Sequence, residues 1–362
     1  VHGDDLTAEE RLLLRGRPPA AALRWAARAA GGVGAEVVAV EALEGGTSSA
    51  VHALDVRDRA GRTRALVLRR FVRADWLAEE PDAPLREAAA LDIVAAGGLV
   101  APRLVALDPR GAEIGDGRPA LLMTRLPGRV VWTPPPDQLD TWLRGLAATL
   151  PQIHATVLSS ASAPATLTPP PAPTAPTAPA APAAPAAPAA PTAPTAPAAP
   201  TAPTAPTAPT APTAPTAIGR YSDWGLHVER PPAGSRLPAP TWERAFAVFD
   251  RSPEVGDRLI HRDFHPGNVL WRDGQVSAIV DWACASRGHP DADVGYCREN
   301  LARAHSVAVA DRFLTFHRAL TGAGELDPAW DVRAALGGYA ADDLVGWSTR
   351  EDAFLAQAVA RL

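Results

Sequence analysis

The residues best suited to chemistry gather between Leu259 and Gly295. There His261-Arg262-Asp263 is followed five residues later by Asn268 and thirteen residues after that by Asp281. Phosphoryl transfer needs a positioned nucleophile, a divalent cation against the phosphate charge and a further cation on the nucleotide. Asp263 is suited to accept the proton of an acceptor hydroxyl, or to orient it. Asn268 and Asp281 offer the oxygen ligands that the hard Mg²⁺ ion prefers. Taken singly, each of these residues reads as a polar cap on a turn or strand end; their joint spacing argues for a site. Val269–Trp271 and Ser277–Val280 flank the turn Asp273-Gly274 and predict a hairpin. It would hold Asp263 and Asn268 at one end and Asp281 at the close of its second strand.

That stretch supplies no cation for a nucleotide. The chain has no lysine, so all 35 basic residues are arginines and any lysine task falls to Arg. Arg69 closes a predicted third strand, and Glu87 stands early in a predicted helix over 84–96. Apart, they read as a solvated edge charge and an exposed helix acid; together they make an ion pair that turns Arg69 toward a nucleotide. Gly45-Gly46-Thr47-Ser48-Ser49 joins two strands, either as a plain turn or as a loop whose N–H groups cover phosphates. A connector around Thr124 to Leu126 offers backbone groups to an adenine edge.

The elements that must position these groups follow from periodicity. Residues 7–30 predict two helical pieces broken at Pro18-Pro19, with Thr7 and Glu10 as a capping box. Strand-like runs at 36–43, 50–57, 64–71, 103–108 and 119–126 predict an antiparallel meander carrying one helix. Leu126-Pro127-Gly128 marks the passage to a helical region. Helices are expected over 137–157, interrupted at Pro151, then over 241–250, Cys297–Leu320, Ala329–Ala341 and Thr349–Leu362. His154 near the end of the first reads as a packed or capping residue.

Pro accounts for 39 of 362 residues, most of them in one tract. From Pro173 to Pro215 every third residue is Pro with Ala or Thr between, which favours polyproline II; at about 3.1 Å per residue the tract could span roughly 130 Å. Without apolar periodicity, 160–217 is expected to be a disordered insertion, a passive spacer with protein contact through Pro-x-x-Pro as the other role. The net charge of −5 argues against generic nucleic-acid binding. No apolar run approaches the ~20 residues of a membrane span, no secretory signal is expected, and two cysteines without metal spacing suit a reduced, cytoplasmic setting. Acids outnumber arginines from Asp281 onward, which hints at a cationic acceptor met near Asp291, Glu299, Asp342 and Asp343.

The stretch HRDFHPGNVLW, with IVDW and GHPDADVG after it, resembles the catalytic segment of the aminoglycoside phosphotransferase family. The resemblance implies an α+β, two-lobed protein-kinase-like fold: a small antiparallel sheet lobe over 1–126 and a mainly helical lobe over 127–362 that carries the Pro/Ala/Thr insertion. It implies ATP and Mg²⁺, with Asp263 as base or orienter and Asn268 and Asp281 on the metal. Gly45, Gly46, Thr47, Ser48, Arg69, Glu87, Thr124 and Leu126 would surround the nucleotide. His261 would hold the loop and Asp293 would buttress it. Three departures stand out: Arg69 where Lys is usual, Arg262 where many relatives have Gly, and the long insertion. The expected reaction is γ-phosphoryl transfer to a small-molecule hydroxyl, of an aminoglycoside or of an amino alcohol, sugar or other metabolite. A silent nucleotide-binding scaffold is the rival reading. A protein kinase is the other, against the short segment between Asp281 and Asp293.

Overall fold

Alternation along one strand decides where the cleft lies. A computed structural model describes residues 7–44, 48–158, 218–223, 230–232, 234–253, 256–337 and 347–362. In it, β1 (Glu36–Ala42), β2 (Ala50–Arg57), β3 (Thr63–Arg70), β4 (Leu104–Asp108) and β5 (Ala120–Thr124) form an antiparallel sheet in the order β1-β2-β3-β5-β4. Side chains on a strand alternate between faces. Leu66 and Leu68 of β3 therefore pack with Leu54, Val56 and Leu122 against Trp25 and Ala26 of α2 (Ala20–Gly31). Arg69 and Phe71 take the opposite face, where Phe71 joins the core around α4 (Ala83–Ala96). The register sets Arg69 between Val51 and Leu121.

Thr7 and Glu10 form the capping box that opens α1 (Ala8–Arg15), and the chain is extended at Pro18-Pro19 before α2. A short helix not foreseen from the sequence, α3 (Ala74–Glu79), precedes α4. Six residues are too few for periodicity to register. Beyond Pro127-Gly128 the chain enters a second sheet at β6 (Arg129–Val130), which pairs with β8 (Val269–Arg272), which pairs with β9 (Gln275–Ile279). Gly128 has φ +129°, and a Cβ there would collide with Ser277 Oγ, whose hydroxyl donates to Pro127 O at 2.8 Å. The β8–β9 turn is the one foreseen, with Asp273 and Gly274 both at positive φ.

Three sequence expectations need correction. α5 runs unbroken from Leu139 to His154 through Pro151. A proline removes one N–H and crowds the preceding turn, but the buried stripe Leu143, Leu146, Leu150 and Ile153 keeps the helix in register. The expected helix from Cys297 to Leu320 is two: α7 (Asp291–Ala304) and α8 (Val307–Thr321), parted at His305 with Ser306 capping α8. α7 therefore begins six residues early and takes in Asp291 and Asp293. A strand also went unseen: β10 (Ser286–Gly288) pairs with β7 (Arg258–Ile260) just ahead of His261. The helical lobe is completed by α6 (Ala239–Phe249), α9 (Pro328–Gly337) and α10 (Thr349–Arg361).

Arg298 ties three of these helices together. Its guanidinium, fully buried, bonds Asp331 on α9 at 3.0 Å and Ala310 O and Asp311 on α8 at 3.0 and 3.1 Å. Breaking a buried pair strands its partner's charge, at about 3–5 kcal/mol. Asp331→Ala is expected to lower unfolding stability by that amount in urea titration; a loss below ~1 kcal/mol would show the pair is dispensable.

Candidate active site

The loop from His261 to Asn268 is held from beneath by one carboxylate. Asp293, in the first turn of α7 and wholly buried, accepts the backbone N–H of His261 at 2.9 Å and of Arg262 at 2.7 Å. It also meets His154 Nε2 at 2.9 Å. His261 turns its own Nε2 to Val280 O at 3.0 Å, next to Asp281. The backbone is bent hard at both ends: Arg262 has φ +67° and Asp281 φ +64°. A side chain in that left-handed region costs roughly 1–2 kcal/mol, which explains why Gly suits the Arg262 position. Arg262 is anchored by its guanidinium, which donates to Glu80 just past α3 at 2.9 Å. Removing Asp293 would leave two buried N–H groups unsatisfied, at about 1–3 kcal/mol each. Asp293→Ala is accordingly expected to destabilise the protein by several kcal/mol in chemical denaturation. A neutral result would mean that something else holds the loop.

Asp263 follows Arg262 and is only partly covered, its side chain 23 % exposed. Asn268 Nδ2 donates to its Oδ2 at 3.1 Å and to its backbone carbonyl at 2.9 Å, and Tyr296 lies near the same carboxylate. Burial, together with the nearby Asp281 carboxylate, pushes the Asp263 carboxyl up to about 6. His265 stands 3.6 Å from it. Burial drives that imidazole down to about 3, so it is neutral at pH 7, and it stacks on Trp132 with centroids 5.3 Å apart. Since Nδ2 of Asn268 faces Asp263, its Oδ1 is the oxygen left for another partner.

Asp281 lies at the other wall, two residues past the end of β9, and meets the small lobe directly. Arg69 Nη1 donates to Asp281 Oδ1 at 2.5 Å and to Glu87 Oε1 of α4 at 3.0 Å, while Arg69 Nε donates to Ser49 Oγ at 2.8 Å. One guanidinium thus serves two carboxylates. Burial opposes the charge on Arg69, but Asp281 and Glu87 hold its pKa above the ordinary value. Burial also opposes ionisation of Asp281, yet Arg69 keeps its carboxyl below the usual range. Glu87 is the poorer served: burial pushes it up to about 7, and its Oε2 has no hydrogen-bond partner among the described residues.

The remaining expected residues fall as follows. Gly45, Gly46 and Thr47 lie outside the described residues, as do Asp342, Asp343 and the tract from 160 to 217. Ser48 is half-buried at the entry to β2, beside the Ser49 that binds Arg69. Thr124 ends β5 with its Oγ1 accepting Arg103 N–H at 2.9 Å, and Leu126 is half-buried in the connector. Reading the sequence missed His154, Glu80 and Tyr296 as parts of the site, and placed Ser49 in the phosphate loop without its bond to Arg69. Tyr296 alone carried a local signal: it stands three residues after Asp293, hence one helical turn on.

Asn268 and Asp281 fit a Mg²⁺ ion by chemistry. Both offer oxygen, and Asp281 is 31 % exposed despite Arg69. Among the described residues no cluster of three or more His, Cys, Asp or Glu could hold a metal, so further ligands would come from phosphate and water, as Mg²⁺ commonly takes them.

A small antiparallel sheet over a helical lobe, with an Asp-Asn-Asp set facing a buried cation from the third strand, defines a protein-kinase-like phosphotransferase scaffold. The profile of the phosphotransferase enzyme family matches residues 39–336, and the chain belongs to that family. Among solved structures, a thermostable mutant of aminoglycoside phosphotransferase APH(4)-Ia superposes with a TM-score of 0.53 at 18% identity, covering 90% of this chain and 94% of its own. The N202A form of that mutant, a ternary complex with AMP-PNP and hygromycin B, gives 0.54 at 19% identity, covering 90% and 93%. A putative aminoglycoside phosphotransferase from Ralstonia eutropha JMP134 gives 0.52 at 14%, covering 94% and 97%. These likenesses show the fold. Comparison with curated proteins found no match. No helix among the described residues is long and apolar enough to cross a membrane.

Proposed function

We propose that this chain transfers the γ-phosphoryl group of ATP to a hydroxyl of a small molecule. The observation that carries the reading is the pairing of Asp263 with Asn268 on one loop and of Asp281 with Arg69, itself held by Glu87, on the other wall. In this reading Asp263 receives the acceptor hydroxyl and orients it, taking its proton as the acceptor oxygen bonds to the γ-phosphorus and the bond from that phosphorus to the β–γ bridging oxygen breaks, releasing ADP. Asn268 Nδ2 fixes the carboxylate for that task. Arg69, steadied by Glu87 and Ser49, binds nucleotide phosphates. Ser48 with Gly45, Gly46 and Thr47 covers them, and the backbone from Thr124 to Leu126 meets the adenine. Asn268 and Asp281 would hold Mg²⁺, which would neutralise phosphate charge. His261 and Asp293 keep the loop in place.

The AMP-PNP and hygromycin B held by a protein of the same fold support a nucleotide donor and a hydroxylated acceptor. We place the lobe boundary near Leu126 and the enzyme in the cytoplasm, with residues 160–217 as a spacer inserted in the second lobe. One observation favours a silent nucleotide-binding module instead: Arg69 already occupies the carboxylate of Asp281. The test is ATP consumption across a panel of antibiotics, sugars and amino alcohols, with Asp263→Ala as control. Turnover that requires Asp263 supports the enzyme; nucleotide binding with no turnover on any acceptor supports the silent module.

A further inference from the structure

Three side chains outside the proposed reaction join the small lobe to the helical one. Glu80 follows α3, which is fastened to the sheet where Trp76 stacks on Phe71 with centroids 6.0 Å apart. Glu80 Oε1 accepts Arg262 Nη1 at 2.9 Å, and its Oε2 accepts Arg86 Nη2 at 2.6 Å. Both carboxylate oxygens are thus engaged, and all three side chains are largely buried. Burial opposes the charge on Glu80, yet the two guanidiniums hold its carboxyl below the ordinary value.

Each arginine carries the bridge to one wall of the cleft. Arg262 directly precedes Asp263, and Asp293 accepts its backbone N–H. Its backbone is bent to φ +67°, a conformation that glycine takes freely, so the contact with Glu80 is what an arginine adds at this position. Arg86 donates its Nε to Ala283 O at 2.6 Å, two residues beyond Asp281. On α4 it is followed by the Glu87 that holds Arg69. One carboxylate therefore ties the small lobe both to the Asp263 loop and to the segment after Asp281. Another link across the cleft, Arg69 to Asp281, uses a cation assigned to phosphate and a carboxylate assigned to metal. Glu80 and Arg86 have no such second duty.

We propose that Glu80 is a positioning residue, a latch that holds the small lobe on the catalytic loop and so sets the distance from Asp263 to the phosphates on Arg69. The proposal rests on the phosphotransferase reading for what the latch aligns. Transfer is sensitive to such alignment, since a misplacement of about 1 Å can lower the rate ~10²-fold.

The full chain is spin-labelled at Arg59→Cys in the β2–β3 turn and Ala319→Cys on α8, both exposed, while Cys284 and Cys297 are buried. Distances between the labels are read by double electron–electron resonance with ADP and Mg²⁺ present. Glu80→Ala and Arg262→Gly are each expected to broaden the distribution toward longer distances. Arg262→Lys, which keeps a donor for Glu80, is expected to leave it as in the parent. ADP release from ATP is followed across the panel of antibiotics, sugars and amino alcohols. Glu80→Ala should slow it about tenfold or more, with the affinity for ADP, by calorimetry, nearly unchanged; a variant that merely loosened the fold would lose both. Should Glu80→Ala not fold, Arg262→Gly decides, because glycine suits the backbone there. Unchanged distances in the folded variants, broadening by Arg262→Lys equal to that by Arg262→Gly, or Asp263-dependent ADP release that ignores the latch would each overturn the inference and leave the phosphotransferase reading standing. Broadening in the variants with no ADP release on any acceptor, even by the parent, would uphold the latch and sink that reading.

Discussion

Asp263→Asn is expected to lower kcat by about 10²–10⁴-fold, the range that a positioned proton acceptor contributes, with the KM for ATP nearly unchanged. The substitution keeps size and shape, so Asn268 retains a partner at that position, and the loss reports the carboxylate itself. Because burial and Asp281 hold this carboxyl up to about 6, activity should rise with pH through an acid limb at or below about pH 6. The limb should vanish in the variant. A variant that turns over acceptor at the parent rate would remove Asp263 from the chemistry and leave it a structural acid.

Arg69→Ala is the second large effect. Arg69 is buried between two carboxylates, and removing one partner of a buried pair costs about 3–5 kcal/mol because the other charge is stranded. The expected loss of unfolding stability is of that size, accompanied by a large fall in ATP affinity. Glu87→Ala on the same background should recover part of the stability but none of the affinity. Equal recovery of both would mean that Arg69 serves packing alone. Arg69→Lys is the informative companion. A lysine has no planar fork to reach Ser49, Glu87 and Asp281 together, so binding of Mn²⁺ in the absence of nucleotide, followed by its electron spin resonance, should strengthen. Unchanged Mn²⁺ affinity would show that Arg69 does not compete with metal for Asp281.

How much was visible beforehand divides along a physical line. Period-two alternation placed five strands, and the spacing His261–Asp263–Asn268–Asp281 singled out the loop, because both are local regularities. The capping box of Thr7 and Glu10 was local too. Pairings between distant residues left no mark. Arg262 meets Glu80 across 182 positions and Arg69 meets Asp281 across 212. Neither Glu80 nor the direct contact of Arg69 with Asp281 could be read from periodicity. The split between α7 and α8 was hidden for a different reason: an Ala-rich run keeps helical propensity across His305, and only the Ser306 cap ends it. Pro151 misled in the opposite sense, since burial of its neighbours outweighs the lost hydrogen bond.

The identity of the cation on β3 has a practical side for chemical probing. Reagents that label nucleotide sites through an acylating phosphate need a side-chain amine within reach of the terminal phosphate. The group here is a buried guanidinium, and the 362 residues include no lysine side chain at all. Activity-based profiling with amine-reactive nucleotide analogues would pass over this protein in a cell extract, however tightly it held ATP. Guanidine-selective dicarbonyl reagents are the chemistry that would find it, with protection by nucleotide as the readout.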